Sequence, residues 1–156
     1  MLAQAIKKRL SKEESQKGFT LIELLAVIVI LGIIAVIAIP LIGNVISGAK
    51  KDSDVATARQ VYDAARLYVM GENNGDFKTA GSVKVEDIIT KGYLDKIYLP
   101  STKAEIIKGT VNFSTTTGQL VDTTTSNGDA VTLDVGTNTT PDLKKFPAVS
   151  VLSAKK

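Results

Sequence analysis

The pattern of hydrophobic and polar positions changes twice along this chain. Residues 24–43 read LLAVIVILGIIAVIAIPLIG, with no charge and no polar face. At about 1.5 Å per residue, roughly 20 helical residues cross a hydrocarbon core of about 30 Å. A buried helix of that length keeps a polar face, so the run predicts a membrane span. Further on, Val55, Ala58, Tyr62, Ala65 and Val69 recur at alternating spacings of three and four. Arg59, Asp63 and Arg66 decorate another face, which predicts an amphipathic helix ending at Met70 with Gly71 as its C-cap. Joined to the span, it makes one helix of roughly 50 residues, apolar all round at first and then on one stripe.

From Ala104 the period shortens. Ile106-Ile107, Val111–Thr115, Gln119–Thr124 and Ala130–Val135 are short Thr/Val-rich runs. Thr116-Thr117-Gly118 and Ser126-Asn127-Gly128-Asp129 separate them, and the Asn-Gly step is a hairpin signal. Three or four antiparallel strands folding over the helix stripe would bury it. The expected fold is therefore α+β: a long N-terminal helix, half transmembrane and half amphipathic, packed against a small antiparallel sheet. Between helix and strands, residues 71–82 are a loop by composition. Val83 to Lys91 predicts a short helix with Ser82 as N-cap, Glu86 and Asp87 in its early turns and Gly92 after its end. Tyr93-Leu94 and Ile97-Tyr98-Leu99 read as apolar docking before Pro100. The final PDLKKFPAVSVLSAKK reads either as a last strand around Ala148–Leu152 or as a loosely held tail.

Composition sharpens this in two places. The chain has 156 residues, 44% of them hydrophobic, and neither Cys nor His. The absent Cys removes disulfides, thiolate metal sites and cysteine nucleophiles, and the absent His removes the commonest metal ligand and general base. A non-enzymatic role without cofactors is expected. The net charge of +3 is accounted for by the first 18 residues, where Lys7, Lys8, Arg9, Lys12 and Lys17 oppose Glu13 and Glu14. The remainder is neutral, so charge gives no support to DNA binding. The same basic flank holds the N-terminus in the cytoplasm and sends the C-terminal part outward.

Two residues do not suit an ordinary span. Glu23 lies inside FTLIELLAVIVI, where an ionised carboxylate costs on the order of a few kcal/mol. It is either an interfacial residue reaching the headgroups or a carboxylate kept for a positive partner. Pro40 removes one backbone hydrogen bond and disfavours helix in the residue before it.

Lys17-Gly18-Phe19-Thr20-Leu21-Ile22-Glu23-Leu24 resembles the prepilin cleavage motif of type IV pilins and pseudopilins: a basic leader ending in Gly, then Phe, a Glu at the fifth mature position, and an apolar helix. The likeness extends to Gly32 and Pro40 and covers roughly residues 8–45. It implies cleavage between Gly18 and Phe19 by a prepilin peptidase and N-methylation of Phe19. It also implies a homo-oligomeric helical filament assembled by dedicated machinery, from a single-pass membrane precursor to an extracellular pilus. The domains that follow are the leader 1–18, the transmembrane and assembly helix 19–43 and the pilin head 44–156. The head divides into an amphipathic helix 44–70, a variable connection 71–103 and a β region 104–156. Cleavage leaves a positive α-amine one helical turn before Glu23, which can neutralise its own terminus or, in a filament, a neighbour's. Gly32 and Pro40 are weak points, read either as places where the helix loosens on leaving the membrane or as a plain proline kink.

Other patterns carry less. Gly43-Asn44-Val45-Ile46-Ser47-Gly48-Ala49-Lys50 imitates a phosphate-binding loop with its lysine displaced. Asp122, Asp129 and Asp134 suit turns and strand ends better than a calcium site. Asn112-Phe113-Ser114 and Asn138-Thr139-Thr140 match the N-glycosylation pattern. The preferred function is a filament subunit serving adhesion, surface motility or DNA uptake; the rival within the superfamily is a pseudopilin of a secretion or competence system. A rival of another class is a secreted protein cleaved after Ala49, since Ser47-Gly48-Ala49 satisfies the small-x-small rule. A membrane-anchored enzyme would need a catalytic constellation that the sequence does not display.

Overall fold

A computed structural model describes residues 20–121, 129–136 and 140–153. The chain divides into two units, Met1–Val45 and Ile46–Lys156. Helix α1 (Leu21–Glu72) opens the described chain. After it come α2 (Phe77–Ala80), β1 (Ser82–Lys84), α3 (Val85–Thr90), β2 (Tyr98–Leu99), β3 (Ala104–Glu105), β4 (Lys108–Asn112), β5 (Val131–Asp134), β6 (Leu143–Phe146) and α4 (Ala148–Leu152). The architecture is α+β and pilin-like, as expected.

The core of the second unit forms where the α1 stripe meets the sheet. Ala58, Val61, Ala64, Ala65 and Val69 are buried on α1, while Val55 and Tyr62, expected on the same stripe, are partly buried and pack against the core. Three of the five are alanines. The four-stranded antiparallel sheet has the order β1-β4-β5-β6. Its register aligns Val83, Val111, Val131 and Phe146 in one row across all four strands, and every member of that row is buried. Leu133 adds a second inward position on β5, two residues along as the strand period requires.

Several local expectations are corrected. Helix α1 does not stop at Gly71; it runs to Glu72. The turn that ends it lies at Asn74 and Gly75, with φ of 51° and 78°, where the Gly75 amide donates to the Val69 carbonyl at 3.0 Å. Gly75 supplies the left-handed conformation that Gly71 was expected to provide. Gly71 instead clears a path for another group, because a Cβ there would collide with the Tyr93 hydroxyl. That hydroxyl donates to Glu72 Oε1 at 3.3 Å, and Lys91 Nζ meets Glu72 Oε2 at 2.8 Å. The Lys91 ammonium holds the Glu72 carboxyl below its ordinary value, and Glu72 in turn raises Lys91.

The expected loop 71–82 contains α2, whose N-cap Asp76 accepts from the amides of Lys78 and Thr79 at 3.1 and 3.2 Å. The helix expected from Val83 begins only at Val85, and Lys84, not Ser82, is its N-cap residue. Residues 82–84 are taken by pairing with β4, which buries Val83; a tertiary partner outweighs a local cap. The helix end follows the expectation: Gly92, at φ 78°, donates to Ile89 O, and the Tyr93 amide to Ile88 O.

In the β region the runs are placed with shifts. Ile106 and Ile107 are not a strand, although Ile106 is buried and its amide donates to Ile97 O at 3.0 Å. The Val111–Thr115 run is represented by β4, displaced towards Lys108. Of Gln119–Thr124, Leu120 bridges Phe113; residues 122–124 and the Asn127-Gly128 turn lie outside the described residues. Over residues 141–153 the C-terminal segment is neither a strand at Ala148–Leu152 nor a loose tail; residues 154–156 lie outside the described residues. The segment supplies β6 and then α4, with Pro147 between them accepting from the amides of Ser150 and Val151. Ala148 and Val151 are buried. Arg59 Nη1 on α1 donates to the carbonyls of Val151 and Leu152 at 3.3 and 3.2 Å, satisfying the open end of α4.

Candidate functional site

The start of α1 is built by two residues three positions apart, Thr20 and Glu23. Thr20 precedes the first helical residue. Its backbone N–H and its hydroxyl both donate to Glu23 Oε2, each at 2.8 Å. In return the Glu23 amide donates to Thr20 Oγ1 at 3.3 Å. This is a reciprocal capping box: two of the amides that every helix start leaves open gain partners, and the acidic group sits at the positive end of the helix dipole. Glu23 was expected to be favoured by the dipole; its bond to Thr20 was not anticipated. The signal was present, since Thr20-Leu21-Ile22-Glu23 before an apolar run is the capping-box pattern.

Beyond Glu23 the helix carries no charged side chain until Lys50. Every large hydrophobic residue from Leu21 to Ile46 is exposed, from 48% at Val27 to 82% at Leu21. A continuous apolar surface of this extent is far larger than soluble monomers display, and it requires lipid or protein around it. Gly32 lies on it, and a Cβ there would meet nothing within 4 Å. Pro40 lies inside α1, which remains helical on both sides; its ring removes the amide that would have bonded the Val36 carbonyl. Glu23, Gly32 and Pro40 therefore occupy successive levels of one helix and are not brought together into a pocket. Gly18 and Phe19 lie outside the described residues.

The weaker patterns resolve individually. Gly43 to Lys50 is helical throughout, which removes the phosphate-loop reading, and Ser47-Gly48-Ala49 is likewise part of α1. Asp129 pairs with Lys145 at 2.8 Å, and its carbonyl accepts from Asn112 Nδ2 at 2.7 Å. Asp134 Oδ1 accepts from the amides of Gly136 and Asp142 at 2.9 and 3.0 Å, closing the turn that follows β5. Both serve turns and strand ends; Asp122 lies outside the described residues. Asn112 is a half-buried β4 residue whose amide nitrogen is engaged, and Asn138 lies outside the described residues.

Residues 15–39 match the family described as the prokaryotic N-terminal methylation motif. The match spans Gly18 and Phe19, the capping box and most of the apolar surface, ending one residue before Pro40. No solved structure matches the chain.

Proposed function

We propose that this chain, which carries the N-terminal methylation motif of type IV prepilins, is the structural subunit of an extracellular filament of the type IV pilus kind. The observation that carries the reading is the coincidence of that motif with a helix whose surface from Leu24 to Ala49 is uncharged and, at every large hydrophobic side chain, exposed. Lipid covers such a surface in the precursor. Removing subunits from the membrane requires an equivalent apolar cover, and copies of the same helix supply one.

In this reading a prepilin peptidase cuts between Gly18 and Phe19 and methylates the Phe19 amine. Glu23 then neutralises the Phe19 ammonium of a neighbouring copy, setting the register of addition in a low-dielectric bundle where an unpaired charge is costly. Gly32, which weakens helix propensity, and Pro40, which breaks one helical hydrogen bond, give the segment between them freedom to loosen during extraction.

N-terminal sequencing and intact mass of the membrane-bound and sheared material test this directly. The expected mature chain starts at methylated Phe19, and Gly18→Val leaves the leader attached. A chain beginning at Lys50 establishes a conventionally secreted protein instead. Electron microscopy of long filaments made of this chain separates a pilus from the short envelope-bound fibre of a pseudopilin.

A further inference from the structure

The turn that ends α1 holds an Asn-Gly step, Asn74-Gly75, whose chemistry the filament reading does not use. The Asn74 carboxamide is exposed and, among the described residues, makes no hydrogen bond. Gly75 has no side chain to shield the backbone nitrogen that follows it. In a flexible chain that nitrogen attacks the carboxamide carbon of Asn74. Its proton departs with the side-chain nitrogen as ammonia, and a cyclic succinimide closes. Water then opens either carbonyl–nitrogen bond of the ring and returns a proton to the nitrogen, giving aspartate or isoaspartate.

In the fold the electrophile is free and the nucleophile is not. The Gly75 N–H donates to the Val69 carbonyl at 3.0 Å, as does the Asn73 N–H. The Asp76 amide donates to Asn73 O at 2.9 Å and the Phe77 amide to Gly75 O at 3.2 Å, so the turn is tied on both sides. Asn74 and Gly75 are held at φ of 51° and 78°. The nitrogen reaches the carboxamide only by leaving Val69, so the reaction follows the population of the opened turn.

We propose that Asn74 is a modification site, intact while the end of α1 is closed and deamidated when it opens. The conversion runs one way. Aspartate adds a carboxylate beside Glu72 and Asp76, at the helix end where the dipole disfavours negative charge. Isoaspartate inserts a methylene into the main chain immediately before Gly75, displacing the amide that reaches Val69. Either product weakens the turn that had protected the residue. A head that has opened once is thereby marked and opens more readily. The inference is independent of the filament reading and stands if that reading fails.

To test this, the detergent-solubilised full chain is incubated in mildly alkaline buffer below the head's melting temperature, beside a sample unfolded in guanidinium chloride. Trypsin cuts after Arg66 and Lys78, so the peptide Leu67–Lys78 reports Asn74 apart from Asn127-Gly128. Fragment masses separate Asn74 from Asn73. Conversion of Asn74 is expected to be about tenfold slower in the folded sample, the scale of one hydrogen bond that must break first. Equal rates in the two samples overturn the proposal, because the closed turn then protects nothing. Absence of conversion in the unfolded sample, or conversion at Asn73 instead, overturns it as well. The one-way step is read from Asn74→Asp, which still tolerates the left-handed backbone and adds only the charge. Its head is expected to melt at a lower temperature than the wild type in circular dichroism; an unchanged midpoint overturns that step.

Discussion

Two glutamates mark the beginning and the end of the same helix, and they are satisfied in opposite ways. Glu23 is held by Thr20, three residues away. Glu72 is held by Lys91 and Tyr93, 19 and 21 residues away. The side chains between them divide in the same manner. Around Glu23 the large apolar residues are exposed. Towards Glu72 the apolar stripe from Ala58 to Val69 is buried against the sheet. One helical backbone thus serves two solvents: the first part is completed by lipid or by other molecules, the second by its own chain.

The largest expected effect strikes the first part. Glu23→Gln keeps the side chain's length and its ability to complete the capping box, so it isolates the charge. Leaving a buried ammonium unpaired costs roughly 3–5 kcal/mol at each subunit addition, and tenfold per about 1.4 kcal/mol makes that sufficient to suppress polymerisation. Expression, insertion and cleavage should be unchanged while filaments become scarce. Filaments of wild-type number and length would remove the pairing and leave Glu23 as a helix cap alone.

A matched pair of leucines sharpens the contrast. Leu133 is fully buried on β5 and Leu31 is 57% exposed. Leu133→Ala should destabilise the head by about 2–5 kcal/mol, seen as a lower thermal midpoint in circular dichroism of a fragment starting near Lys50. That fragment should itself be a monomeric α+β domain; a disordered or purely helical spectrum would contradict the self-sufficiency of the second unit. Leu31→Ala in the detergent-solubilised full chain should leave the head's midpoint in place.

A smaller effect belongs to Gly71. Its replacement by alanine drives a methyl group into the Tyr93 hydroxyl, while the Tyr93 ring is held edge-on by Tyr68 at 5.6 Å. Overpacking of this kind costs about 1–3 kcal/mol. Much of that loss should disappear in the Tyr93→Phe background, which lacks the oxygen; additive losses would show that the contact is not the cause.

The smallest effect is electrostatic. The hydrogen bond from Lys91 keeps the Glu72 carboxyl below its ordinary value near 4.5. Stability from this pair is therefore fully present above that value and is lost as pH falls through the lowered one. Lys91 is raised above its ordinary 10.5 by Glu72, so its share is fully present below 10.5 and is lost as pH rises through the raised value. Glu72→Gln should flatten both limbs of the head's pH–stability curve slightly, since the pair is exposed and screened. An unchanged acid limb would show that the pair contributes nothing.

The sequence by itself determined what is local or periodic. The uncharged run defines a helix with no preferred face, the three-and-four spacing around Ala58 and Ala65 defines its buried stripe, and Gly92 marks the end of α3. The capping box was equally legible, because Thr20 and Glu23 meet by helix geometry alone, although Glu23 drew notice as a charge in an apolar run and through the likeness to prepilins, not as the partner of Thr20. Tertiary structure decided the rest. Ser82 to Lys84 suit a helix start as well as a strand, and pairing with β4 chose the strand. Gly71 looked like a helix terminator, but Tyr93 required it as empty space, and Asn74 and Gly75 ended the helix instead. Residues 148–152 became a helix only because Pro147 ended β6 and Arg59, from distant α1, accepted the task of capping the new end. In each case one partner, β4, Tyr93 or Arg59, lies far along the chain, where neither spacing nor composition reports it.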